Sequence, residues 1–141
     1  MKIDFYILDT ANKQKSLLFA CQLLEKLHAS NNRVYIHTAS LDEAERLDTL
    51  LWTHRDDSFI PHALYDENDA LTPIQIGFNA IPQHHHQVLL NLNSDMPNFY
   101  QQFSHVIEIV SADAVTQQQA RERYKQYRDH GHEIQTIKSN A

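Results

Sequence analysis

The 141-residue sequence holds one cysteine, two glycines and four prolines, and each shortage removes a class of protein. Cys21 has no partner within the chain, so no internal disulfide can form, as suits a reducing cytoplasm. Gly77 sits inside a strand-like run and Gly131 follows a helical one, so neither G-x-G-x-x-G nor G-x-x-x-x-G-K-[ST] can be written anywhere. Phosphate-cradling loops of both kinds are thereby excluded. No apolar run approaches the ~18 residues of a membrane span, and the opening MKIDFYILDT, with its acids and no small-residue cleavage site, predicts no secretory leader.

Positive charge is also scarce, and it is unevenly spread. The formal net charge is -6, yet residues 42–69 alone carry nine acids against Arg46 and Arg55, a local net of -7 that leaves the rest at +1. Broad nucleic-acid binding normally shows as a basic domain, so duplex DNA is excluded as the expected direct ligand. A local basic patch can still hold a small acidic ligand.

What is present reads as alternating strands and helices. Lys2–Leu8 (KIDFYIL) suits a buried strand; from Asn12 to Ser30 the apolar residues recur at helical spacing, and Ser30–Asn32 (SNN) supplies a stop. Arg33–Thr38 predicts the next strand, followed by a helix opened by a Ser40/Glu43 capping box with Ala44, Leu47 and Leu51 on its buried stripe. Thr53–Thr72 reads as a long surface loop with one short extended piece around Phe59. Pro73–Phe78 and Gln87–Leu92 are strands whose eight-residue gap is too short for a helical crossover, which predicts an antiparallel strand here.

Ser94–Phe103 predicts a short helix around Pro97, and His105–Val110 another strand. A Thr116/Gln119 capping pair would then open a helix that ends at Gly131, with Glu133–Lys138 returning as the last strand. The fold class expected is α/β: one domain over residues 1–141, layered α/β/α around a mostly parallel, Rossmann-like sheet that lacks a nucleotide-binding glycine loop.

Catalytic readings find little purchase. Asp9 ends the first strand, where some phosphotransfer enzymes keep an acid, and a small metal-dependent phosphohydrolase is the alternative it supports. No second acid follows two residues on. His84–His86 are adjacent, whereas paired imidazole ligands on a helix need H-x-x-x-H spacing, and His130 and His132 flank a helix end where cations are favoured. Cys21 falls on a buried helical stripe, as a packed thiol does. No cofactor and no metal are expected.

The segment Ala120–Gly131 (ARERYKQYRDHG) is different, because four of the twelve Lys and Arg residues fall within eight positions. At 100° per residue, Arg121, Lys125 and Arg128 share an arc of about 60°, with Tyr124 beside it and Arg123 turned away. Ala120, Tyr124 and Tyr127 make the core-facing side. Like charges at these spacings repel, and a helix shaped for solubility alone would interleave signs. Such a ridge can grip oxyanions, because guanidinium groups hold them with paired hydrogen bonds. Snorkelling over the core is the competing account.

This segment, with FYILD (Phe5–Asp9), RLDTLLW (Arg46–Trp52) and SFIPH (Ser58–His62), resembles the chi subunit family of bacterial DNA polymerase III. The motifs occur in the family's order across most of the chain. The resemblance implies a cytoplasmic, non-catalytic replication accessory protein, monomeric when free, that joins the clamp loader as a heterodimer with the psi subunit. It also implies a second partner, the acidic C-terminal tail of single-stranded-DNA-binding protein, so that nucleic acid is met only indirectly. The tail would be held by Arg121, Tyr124, Lys125 and Arg128, and psi by Trp52, Phe59, Ile60 and Pro61. The preceding AVTQQQ lacks a lysine that some relatives carry. Direct single-stranded DNA binding, with tyrosines stacking on bases, is the remaining reading, and the overall charge opposes it.

Overall fold

The computed structural model describes residues 1–54 and 59–140. Seven strands form one sheet: β1 (Lys2–Leu8), β2 (Val34–Thr38), β3 (His62–Leu64), β4 (Ile74–Phe78), β5 (Val88–Asn91), β6 (His105–Val110) and β7 (Ile134–Ser139). Their order is β3-β4-β2-β5-β6-β1-β7, and every pairing is parallel. Three helices cover it: α1 (Lys13–Ala29), α2 (Leu41–Thr53) and α3 (Ala114–Asp129). The α/β/α layering expected from the sequence is therefore present.

Strand alternation separates the two cores. Val34, Ile36, Ile74, Ile76 and Leu90 meet Leu24, Leu47 and Leu51 of α1 and α2 on one face. Tyr35, Phe5, Leu89 and Val106 meet Ala120 and Tyr127 of α3 on the other, with Phe99, Tyr100 and Phe103 from the segment between β5 and β6. That segment forms only one 3-10 turn, Tyr100–Gln102, where a short helix was expected. Cys21 is fully buried against the first face, and burial pushes its thiol up to about 12, which leaves it a packed group.

The expected antiparallel strand is not there. β4 and β5 flank β2, both parallel to it, and residues 79–87 carry the chain back without a helix. Nine extended residues span roughly 30 Å, about twice the length of a five-residue strand, so no helix is needed. The return is pinned by hydrogen bonds from Tyr35 Oη to Ala80 O (3.2 Å) and from Tyr65 Oη to Ile81 O (3.5 Å). Gly77 clears the way for Tyr35, because a Cβ there would lie 2.1 Å from its hydroxyl oxygen. The three adjacent histidines serve the same region and point apart: Nε2 of His84, His85 and His86 donates to the carbonyls of Glu67, Thr72 and Pro82 at 3.0, 2.7 and 3.2 Å.

Helix ends follow local chemistry. Asn12 and Ser40 cap α1 and α2 by accepting from Lys15 N and Glu43 N. Asn31 (φ 63°) and Gly131 (φ 88°) take the left-handed conformation that turns the chain after α1 and α3. Thr116 and Gln119 do not form the expected box: α3 starts a turn earlier, at Asp113, whose carboxylate accepts from Thr116 N (3.0 Å) and Oγ1 (2.8 Å). A carboxylate completes the cap better than a threonine hydroxyl would. The short extended piece expected around Phe59 lies just beyond it, as β3. Residues 55–58, with Asp56, Asp57 and the first residue of SFIPH, lie outside the described residues.

Candidate functional site

α3 is held in a fixed rotation by its inner face. Arg123 is buried, and its Nε donates to Glu108 Oε1 (3.1 Å) while Nη1 donates to Ser94 O (2.7 Å). Glu108 is fully buried on β6 and also accepts from Tyr127 Oη (2.8 Å) and Asn91 Nδ2 (2.9 Å). Burial pushes its carboxyl up, and Arg123, Asn91 and Tyr127 pull in the opposite sense. The helix is pinned at both ends as well. At the start, hydrogen bonds from Ser111 Oγ and then from Thr116 bring Asp113 down to about 2. At the end, Tyr100 Oη lies within hydrogen-bond distance of both His130 Nδ1 (2.8 Å) and His132 Nε2 (2.9 Å).

With the inner face so fixed, Arg121, Lys125 and Arg128 stand exposed on the outer one. None of the three has an ion-pair partner among the described residues. Together with Gln117 and Thr136 they rim a pocket of about 360 Å³ whose floor is Phe5, Ile7, Val110, Ala120 and Tyr124. Tyr124 is half-buried, its ring edge-on to Phe5 at 5.5 Å. All four residues expected on this ridge are thus brought to one cavity. An apolar floor under three uncompensated cations suits a ligand that joins a hydrophobic side chain to carboxylates.

The larger cavity, about 530 Å³, lies at the carboxyl ends of β2, β5 and β6, with Thr38, Asn91 and Ile109 among its lining. Ligands of open α/β sheets commonly bind at such a crevice. Here its cations are spent within the protein. Lys13 lies 3.6 Å from Glu43, Arg46 lies 3.1 Å from Asp42, and Arg123 is committed to Glu108. Asp9 is exposed and is not part of the lining. Among the described residues, no three His, Cys, Asp or Glu side chains are grouped to hold a metal ion, and no helix is long and apolar enough to cross a membrane.

A second surface lies at the far edge of the sheet. Trp52, at the end of α2, is 52% exposed and Phe59 is 65% exposed, with ring centroids 5.3 Å apart. Trp52 also packs on His62 at 4.6 Å, whose buried ring bonds the carbonyls of Ile60 (2.7 Å) and Asp48 (3.1 Å). Two of the four residues expected here therefore form an exposed aromatic pair. Ile60 does not: at 2% exposure it packs into the core beside Leu47 and Leu51, so it anchors the segment and offers a partner no side chain. Alternation along the extended chain sends Phe59 out and Ile60 in. Pro61 is partly exposed between them and β3.

Several residues of the α3 pocket were not legible as such. Phe5, Ile7, Val110 and Thr136 reach it only because β6, β1 and β7 lie side by side, an order that no local pattern encodes. Arg123 was separable from the ridge by helical angle, but its commitment to Glu108 was not visible.

Comparison with known proteins identifies the family. The family described as "DNA polymerase III chi subunit, HolC" matches residues 1–135. The chain is 38% identical over 136 residues to the DNA polymerase III subunit chi of Pseudomonas aeruginosa, covering 95% of this chain and 94% of that one. It is 33% identical to the subunit of the same name from Haemophilus influenzae and 31% identical to that from Escherichia coli, each match covering 94% of both chains. Among solved structures, "The crystal structure of T4 UvsW" superposes with a TM-score of 0.66 at 10% identity, over 99% of this chain and 41% of that one, a likeness of fold alone. On the extent of these matches, the chain belongs to the DNA polymerase III chi subunit family.

Proposed function

We propose that the chain is a non-catalytic adaptor of the DNA polymerase III holoenzyme, acting in the cytoplasm, and that it carries a different protein at each edge of its sheet. The α3 pocket takes the acidic C-terminal tail of single-stranded-DNA-binding protein. The tail's terminal side chain lies over Phe5, Ile7 and Tyr124, and its carboxylates meet Arg121, Lys125 and Arg128. Trp52 and Phe59, flanked by Pro61, dock the psi subunit and so attach the chain to the clamp loader. DNA is met only through the tail's owner.

The observation that carries the reading is the uncompensated charge of the α3 ridge over an apolar pocket. The sheet order supports it further, since the aromatic pair belongs to the β3 edge and the pocket to the β7 edge. Six strand spacings separate those edges by roughly 29 Å, and α2 and α3 cover opposite faces, so two partners can bind at once. Holding both raises the local concentration of polymerase at coated single strands without chemistry. Paired aromatics standing proud of a charged surface suit an interface centre.

Calorimetric titration of the purified protein with a tail peptide tests the first contact. Arg121→Ala is expected to weaken binding at least tenfold, and added salt to weaken the unaltered protein's grip. Wild-type affinity in the Arg121→Ala protein would remove that residue from the site.

A further inference from the structure

We infer that Lys138, on β7, is a fourth cation of the α3 pocket and reads an acidic side chain upstream of the ligand's C-terminus. The inference deepens the peptide-docking reading above and rests on it. In the sheet register Thr136 pairs with Phe5 and Lys138 with Ile7. Phe5, Ile7 and Thr136 all line the pocket. Side chains two apart on a strand share a face, so Lys138 stands beside Thr136, about 6.6 Å further along β7. It is exposed and has no ion-pair partner among the described residues.

The position matters because α3 runs antiparallel to the strands it covers. Arg128 lies near the start of β7 and Gln117 near its end, so the cations of the ridge thin out toward Gln117, an uncharged residue. Lys138 faces that thin end from the sheet side. An extended peptide with its terminal residue over the apolar floor has neighbouring side chains within reach of a lysine there, and only an acid gains from the contact. The three ridge cations meet the carboxylates that lie along α3, and Lys138 adds from the sheet side a contact that only a tail with preceding acids can use.

The test uses two peptides ending in the same phenylalanine carboxylate, one preceded by aspartates and the other by asparagines, titrated at several salt concentrations. Lys138→Gln is expected to lower affinity for the aspartate peptide about threefold, as for an exposed ion pair, and to leave the asparagine peptide unchanged. Its salt dependence with the aspartate peptide is expected to become shallower. Lys26→Gln, on the opposite face of the sheet, controls for net charge. Unchanged affinity in Lys138→Gln, or an equal loss in Lys26→Gln, would overturn the inference while leaving the docking reading in place. If the unaltered protein binds neither peptide, the docking reading fails and this one with it.

Discussion

Replacing Arg123 by methionine leaves Glu108 without its counter-charge in a fully buried site. Breaking a buried ion pair from one side costs about 3–5 kcal/mol, a large part of the ~5–15 kcal/mol by which a domain is stable. At this chain length each kcal/mol moves the melting midpoint by roughly 3 °C, so a fall of about 10–15 °C is expected at neutral pH. The loss should also depend on pH. Burial already pushes Glu108 above its ordinary value, and the guanidinium is the largest opposing influence. Without it the folded-state pKa rises further, so the folded variant keeps a proton that the unfolded chain releases. Stability from such a group is complete below the unfolded value and is lost as pH rises toward the folded one. Urea unfolding at pH 5 and pH 8 is therefore expected to give a wider gap between variant and parent at pH 8. The double variant Glu108→Gln/Arg123→Met removes the titrating group and should abolish that pH dependence. A deficit below about 1 kcal/mol at pH 8, or one equal at both pH values, would refute the account of this pair as an ionised strut beneath α3.

Other expectations follow from single contacts. Gly77→Ala drives a methyl group into Tyr35, and should lower stability by about 1–3 kcal/mol in denaturant titration. Asp113→Ala removes the α3 cap at a cost of about 1 kcal/mol. Because Asp113 is held at about 2 against an ordinary 3.8, its contribution is present above pH 4 and fades toward pH 2, so an acid titration of the variant should be flatter across that window. Phe59→Ala is expected to weaken psi binding at least tenfold while leaving the tail peptide's affinity and the melting curve nearly unchanged, since the ring is mostly exposed; equal loss of both partners would indicate misfolding instead.

The sequence revealed most where a period or a cap acts locally. Six of the strands and the three helices stand where local patterns place them, and Asn31 and Gly131 turn the chain where the stop signals stand. It misled where a decision was tertiary. The gap after Phe78 is too short for a helical crossover, but Tyr35, whose ring Gly77 makes room for, and Tyr65 hold an extended return against the sheet. Phe59 and Ile60 looked equivalent in composition, and only the direction of the chain toward β3 sends one to solvent and the other to the core. The ridge on α3 was visible because helical angle is a local property. Its pocket was not, because Phe5 and Ile7 of its floor come from a strand more than a hundred residues away in sequence.

Both cavities border the same helix, and charge accounting separates their roles. The crevice at the strand ends has the position of a nucleotide site, yet no glycine loop leads into it, and Lys13, Arg46 and Arg123 each face an acid of this chain. The buried Arg123–Glu108 pair is not free to turn to an anion, and at the two exposed pairs the neighbouring acid sets a like charge beside one. On the other side of α3, no acid among the described residues meets Arg121, Lys125 or Arg128, so a ligand's carboxylates face no competitor there. The burial of Arg123 links the two surfaces: by spending one cation of ARERYKQYRDHG inside the crevice, the fold orients the other three outward.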